Sequence, residues 1–280
     1  MISLRSRRAR ERLSLVLLYP PLILGAVTML LPFVWMVTTS LKTLPEVFAS
    51  SLALPATPMW DNYAEVFRQT AFGHCFLNTL FIALVRTAGV LVTSSMAAYA
   101  FSRLRFPGRD PLFLLYLGTM MLPGQVTMIP NFILMRELNW IDTYWALTVP
   151  LMFSAFGTFL LRQFFLTIPL SLEDAAVIDG CSPWGVFRHV IIPLSGPPLT
   201  TLAVFNFLGA WNDFMWPLIM THSERLWVLN VGLSYFQEMY FTNWPLLMAG
   251  ATMALLPVLI IYIAAQKYFV ESITLTGIKG

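Results

Sequence analysis

Long apolar runs separated by short charged clusters set the pattern of this chain. No Asp, Glu, Lys or Arg interrupts the 29 residues between Arg12 and Lys42, the 25 between Asp110 and Arg136, or the 19 between Asp142 and Arg162. The same holds for the 24 residues between Arg188 and Asp213 and the 28 between Glu238 and Lys267. Each run can cross a bilayer core, which takes about 20 helical residues. A sixth stretch, roughly His74 to Phe101, is apolar except for Arg86. The pattern predicts an all-α membrane protein with six transmembrane helices, an even number that leaves both termini on one side. Between the first two spans, Pro45, Pro55 and Pro58 precede Trp60 to Phe67, a stretch that reads as a short amphipathic interfacial helix. With no internal repeat and no low-complexity tract, residues 1–280 read as one transmembrane domain, in which about 73–266 holds spans two to six.

Composition agrees with that reading. The 280 residues are 58% hydrophobic and only 11% charged, against roughly 25% charged in soluble domains. Charge also orients the spans. Arg5, Arg7, Arg8, Arg10, Arg12, Arg103, Arg105, Arg109, Arg162, Arg188, Lys267 and Lys279 fall on one face of the predicted topology. Lys42, Arg68, Arg136 and Arg225 fall on the other, among seven acidic residues. Basic residues concentrate on the cytoplasmic side, so the N- and C-termini are expected in the cytoplasm of a multi-pass protein of the bacterial plasma (inner) membrane. The first apolar run exceeds the roughly 7–15 residues of a signal-peptide core, which predicts an uncleaved anchor. The formal charge of +3 follows from topology and calls for no acidic partner.

Between spans four and five lies a polar island, residues 171–198. Ser171, with Asp174 three residues on, reads as an N-cap, and Gly180 stops the helix that follows. Ser182 then caps a second helix with Pro183 at its first position, and Pro193 is expected to end it at about Ile192. A helix, a glycine corner and a helix result. As a nucleic-acid element this island would fail, because Glu173, Asp174 and Asp179 would repel phosphate. Cys75 and Cys181 are predicted at opposite faces of the membrane and cannot pair. His74, His189 and His222 are isolated at different depths, so no metal site is expected. A Gly-x-x-x-x-Gly-Lys-Ser/Thr phosphate loop is missing, as is a nucleophile–base constellation, and the chain reads as a non-enzyme.

Asp174-Ala175-Ala176, three residues, Gly180, nine residues, then Val190-x-Ile192-Pro193 resembles the EAA loop of ABC-importer permeases in residue type and in spacing throughout. Asp174 stands where the family has Glu, and the role of that Glu falls to Asp174 or is shared with Glu173. Asn78-Thr79, Tyr99 to Gly108, Trp211-Asn212-Asp213-Phe214-Met215-Trp216-Pro217-Leu218 and the ending Leu275 to Gly280 are similar to the carbohydrate-uptake, maltose-type branch. The resemblance implies the ABC-importer permease fold, with 171–198 as a cytoplasmic coupling loop against an ATPase. Glu173, Asp174, Ala175, Ala176, Asp179, Gly180, Cys181 and Pro193 are its coupling candidates, and Leu172, Val186, Phe187 and Val190 its apolar contacts. Implied partners are a second homologous permease, two ATP-binding subunits and an extracytoplasmic solute-binding protein. ATP and Mg²⁺ would belong to those ATPases, with no cofactor in this chain. The cargo implied is a sugar or oligosaccharide.

Charged side chains inside a membrane are costly and usually face protein or a cavity. Arg86 in span two and Asp213 in the outer half of span five qualify. For Arg86 the readings are an interhelical pair, snorkelling, or a pathway role; for Asp213, a pathway role or a structural one. Sugars offer hydroxyls and apolar faces, and Asn206, Trp211, Asn212 and Asp213 supply matching groups, making them substrate-pathway candidates with Arg86. Trp227, Tyr235, Phe236 and Tyr240 read as interfacial aromatics or partner contacts. Two rival functions stay open: an ABC permease for a non-sugar solute, and an ion-coupled secondary transporter, against which Asp213 stands as the sole intramembrane carboxylate.

Overall fold

The computed structural model describes residues 2–49, 53–237 and 242–277. Ile278-Lys279-Gly280, Glu238 and Tyr240, named above from the sequence, lie outside the described residues. Among the described residues every named element is helical, and one isolated antiparallel bridge joins Gln237 to Thr242.

Two compact units divide the chain. The first comprises residues 1–70 with 233–253. Its long helix α1 (Ile2–Ser40) carries apolar side chains from Leu17 to Val34 that are mostly exposed. Short helices α2 (Leu44–Ala49) and α3 (Asp61–Gln69) follow, the latter matching the amphipathic segment expected there. Asn62 ties the chain entering α3 back to the end of α1, its amide donating to the carbonyls of Ser40 at 2.8 Å and Lys42 at 3.0 Å. Ser40 shares a 2.7 Å hydrogen bond with Tyr63, and the Lys42 side chain is fully buried.

The second unit, residues 71–232 with 254–280, is organised around α4 (Phe72–Arg103), an unbroken helix of 32 residues without proline. Next come α5 (Arg109–Gly118) with a 3-10 turn, and α6 (Gly124–Glu137). These two are bent by 100°, so the third apolar run is not one straight span. The break falls at Leu122-Pro123, where proline lacks an N–H and forces its predecessor into extended backbone, ψ 120° at Leu122. The fourth run consists of α7 (Tyr144–Thr148), a 3-10 turn holding Pro150, and α8 (Ala155–Phe165), whose N-cap Ser154 accepts from Gly157 N–H at 2.9 Å.

The island supplies α9 (Leu170–Ile178), α10 (Pro183–Val186), a π segment at Phe187–Ile191 and α11 (Ile192–Leu194). After it α12 (Gly196–Trp211) turns away by 78° at Ser195. The connections that follow contain α13 (Met215–Met220), a 3-10 turn at Glu224–Leu226 and α14 (Leu229–Ser234) before α15 (Trp244–Gly277). Four helical stretches are long and apolar enough to cross a membrane, or six if each bent pair counts as one span.

Two apolar cores hold the second unit. One gathers Val90, Ala98 and Tyr99 of α4 with Leu161 and Phe165 of α8, Val186, Phe187 and Ile191 of the island, and Leu202 of α12. The other joins Ile82 to Met135, Ala146, Leu147, Met220 and Leu226. Gly89 lets α4 approach Met152, in the turn after α7. A Cβ there would collide with the Met152 side chain, whose Cβ and Sδ would both lie only 2.8 Å away. Cys75 is buried, with Gly232 leaving room for its sulfur, and so is not an exposed outer-face thiol.

Candidate functional site

The polar island folds as a self-supported loop, with its boundaries shifted from those expected. Pro169, not Ser171, occupies the position before α9, because a proline with φ −60° is set for the turn and gives up no N–H bond. Gly180 has φ +87°, the left-handed conformation that favours glycine. Its N–H donates to Val177 C=O at 3.0 Å and that of Cys181 to Ala176 C=O at 2.9 Å, the paired bonds of a Schellman turn. Ser182 caps α10 as predicted, accepting from Gly185 N–H at 3.2 Å, with Pro183 first in the helix.

Pro193 does not end the second arm. The preceding turn widens into the π segment, with Ile192 N–H bonded to Phe187 C=O, and helix continues to Leu194. An i→i+5 turn suits a ring that would otherwise press on the carbonyl four residues back. Val186 and Phe187 turn into the protein's own core, so they are not available as partner contacts. Exposed instead are Asp174, Ala175, Val177, Ile178, Asp179 and Gly180 around the corner, with Trp184 on the second arm. Ile178 is 85% exposed, beside the acidic Asp179. Ala176 and Cys181 pack on the core from beneath, while Leu172 and Pro193 are exposed.

Glu173 differs from its neighbour Asp174. It turns inward to Arg103, the last residue of α4, with Nε and Oε1 2.5 Å apart. Burial pushes its carboxyl above the ordinary value, the Arg103 charge pulls it back, and Asp174 adds a smaller push.

A second constellation lies among the apolar helices. Arg86 of α4 and Asp213, just past α12, form an ion pair with Nη1 and Oδ2 2.7 Å apart. Arg86 Nε donates to Leu147 C=O at 2.5 Å, while Nη2 is buried with no hydrogen-bond partner among the described residues. The pair borders an open cleft of about 350 Å³ walled by Leu151, Phe156, Leu202, Phe205, Asn206, Gly209 and Ala210. Asn206 lies on this cleft with Arg86 and Asp213. Trp211 and Asn212 do not. Trp211 is buried, its Nε1 donating to Ala254 C=O at 3.2 Å and its ring against Phe76 and Phe207. Asn212 spends its amide on Leu208 C=O at 2.9 Å.

Sequence reasoning missed Asp142, which has φ +59° and one carboxylate oxygen accepting from His222 N–H, Ser223 N–H and Ser223 Oγ at 2.9–3.0 Å. Burial would raise its pKa, but these donors hold it below the ordinary carboxylate value. The signal available was a single Asp before the capping Thr143, too common to single out. Of the aromatics beyond span five, Tyr235 is exposed whereas Phe236 is buried and Trp227 packs on the second core. No cluster of His, Cys, Asp or Glu suited to a metal occurs among the described residues.

Long apolar helices that leave most of their side chains uncovered have lipid as their solvent, which makes the class a multi-pass membrane protein. The chain belongs to the family of binding-protein-dependent transport system inner membrane components, whose pattern matches residues 89–275. It is a permease of a binding-protein-dependent importer in the bacterial inner membrane. Among its relatives is the arabinooligosaccharides transport system permease protein AraQ of Halalkalibacterium halodurans, 34% identical over 253 residues, covering 89% of this chain and 91% of AraQ. Another is the sn-glycerol-3-phosphate transport system permease protein UgpE of Pectobacterium atrosepticum, 35% identical, covering 90% of this chain and 93% of the relative. A solved bacterial ABC transporter involved in import of the acidic polysaccharide alginate contains a chain of the same fold. It has a TM-score of 0.82 and 26% identity, with 92% of this chain and 97% of that one covered.

Proposed function

We propose that this permease carries a sugar or oligosaccharide and that residues 171–198 are its coupling loop, docking on a separate ATPase. The observation that carries the reading is the corner of the loop, where Val177 and Ile178 lie exposed beside Asp174 on a scaffold braced from behind by its own core. Exposed apolar side chains on a rigid, polar-edged element mark a protein contact. Six spans with cytoplasmic termini put this corner in the cytoplasm, and the chain works with a second homologous permease, two ATP-binding subunits and an extracytoplasmic solute-binding protein. ATP and Mg²⁺ reside in those ATPases. Closure of the ATPases moves the loop as a rigid body and opens the solute pathway outward. Arg86, Asp213 and Asn206 line that pathway.

The sugar assignment is supported by relatives named for arabinooligosaccharide and lactose transport. A phosphate ester is the second reading, favoured by the relatives named for sn-glycerol-3-phosphate transport. Titrating the cognate binding protein with both classes of ligand separates the two.

Gly180→Arg tests the docking. Nothing lies within 4 Å of a Cβ at Gly180, so the permease itself has room for the new side chain. The left-handed backbone makes any side chain cost about 1 kcal/mol or more. The variant is expected to insert at near wild-type levels yet lose solute uptake and binding-protein-stimulated ATP hydrolysis in reconstituted complex. Undiminished coupled transport would leave the loop without a docking role.

A further inference from the structure

The cytoplasmic-side end of α4 grips both arms of the loop. Tyr99 and Arg103 are one helical turn apart and share a face. Arg103 holds the first arm through Glu173, the two side chains only 8% and 12% exposed. Its Nη2 also donates to the carbonyls of Phe165 at 2.6 Å and Ile168 at 2.8 Å, fixing the turn from α8 into α9. Tyr99 holds the second arm, its hydroxyl donating to Pro183 C=O at 3.0 Å and its ring packed on Phe187 with centroids 5.1 Å apart. Neither contact reaches the exposed corner, so both remain in place when that corner is covered.

We propose that Tyr99 and Arg103 are positioning residues that carry displacement of the loop into α4, and that of the two adjacent acids Glu173 is the loop's internal anchor to Arg103 while Asp174 faces the ATPase. The inference rests on the coupling-loop reading above. An exposed ion pair transmits little, because water screens it and its side chains are free to rearrange. A pair buried to this degree is costly to separate, since either partner left alone strands a charge. Two grips on different arms also make α4 follow a rotation of the loop, which a single contact would let pivot. The helix they move is continuous from Arg103 to Arg86, a distance of about 25 Å at 1.5 Å per residue, and Arg86 borders the cleft.

The test uses the complete transporter reconstituted in vesicles, with solute imported per ATP hydrolysed as the readout. Tyr99→Phe and Glu173→Gln each delete one grip with little change of shape. Combined, they are expected to leave the subunits co-purifying in wild-type proportion while lowering the import-to-hydrolysis ratio about fivefold or more, the lower end of ordinary coupling effects. Glu173→Asp, which keeps the carboxylate and leaves the Arg103 bonds to the Phe165 and Ile168 carbonyls in place, is expected to retain more of the ratio than Glu173→Gln. If import and hydrolysis fall in proportion, the contacts merely support the fold and the inference is overturned. A wild-type ratio in the double variant overturns it as well. Loss of the ATPase on Glu173→Gln alone would assign Glu173 to the docking face and overturn it too. Undiminished coupled transport by Gly180→Arg in the same vesicles would instead remove the coupling-loop reading, and this inference with it.

Discussion

Arg86 is the residue the membrane would be expected to reject. An arginine at a helix centre costs about 2.5–3.5 kcal/mol on insertion scales, and here the side chain is only 4% exposed. Asp213 and the Leu147 carbonyl offset that cost, which makes the interhelical pair the structural reading that the sequence left beside the others. The two partners are not equivalent, because Asp213 is 20% exposed beside the cleft and keeps access to water. Asp213→Asn therefore strands the more deeply buried charge and is expected to destabilise the purified complex by about 3–5 kcal/mol. Arg86→Gln should cost less, and the double variant should recover part of the Asp213→Asn loss. Thermal unfolding of the detergent-extracted complex reads all three, and strictly additive losses would dissolve the pair as an energetic unit. Uptake measured on the same variants separates the pathway role: an uptake defect persisting in the stabilised double variant assigns the polar groups to the solute.

Among the elements, the helix breaks and close approaches matter most. Charge-free length alone makes residues 111–135 and 189–212 look like two uniform spans, yet bends of 100° and 78° divide the helices there. Leu122-Pro123 and the run Gly196-Pro197-Pro198 mark those breaks in the sequence, since each proline lacks the N–H that would continue a helix. In contrast Pro193 and Pro32 sit inside helix, so proline marks a candidate break and packing decides which is used. Gly89 shows the same dependence on context. Within α4 it reads as a weak helix position, but a side chain there meets Met152. Gly89→Leu is expected to force α4 away from the turn after α7 and lower the folded yield, at an overpacking cost of about 1–3 kcal/mol. Fluorescence-detected size-exclusion chromatography of the extracted protein checks this, and a wild-type monodisperse peak and melting point would show that Met152 simply moves aside.

For the molecule as a whole, the orientation proposed from the basic residues makes Cys181 a reporter. In intact spheroplasts an impermeant thiol reagent should leave it unlabelled, and permeabilisation should expose it unless the docked ATPase shields it. Labelling from outside would reverse the topology. Cys75, buried against Gly232, does not serve as the opposite-side control, so an introduced cysteine at exposed Trp60 takes that place. What the sequence determined was local or compositional. Charge-free length requires lipid as solvent, and Gly180 and Ser182 specify a corner because backbone conformation and capping depend on a few neighbouring residues. The spacing around Asp174-Ala175-Ala176 was enough to indicate the permease family. Only the tertiary structure decided which of two adjacent acids faces outward, since Glu173 and Asp174 differ by one step around a helix and the choice depends on Arg103, 70 positions away in the chain. It likewise paired Arg86 with Asp213, turned Trp211 into the core and kept Asn206 on the cleft, because long-range burial and charge compensation act between residues that no local pattern connects.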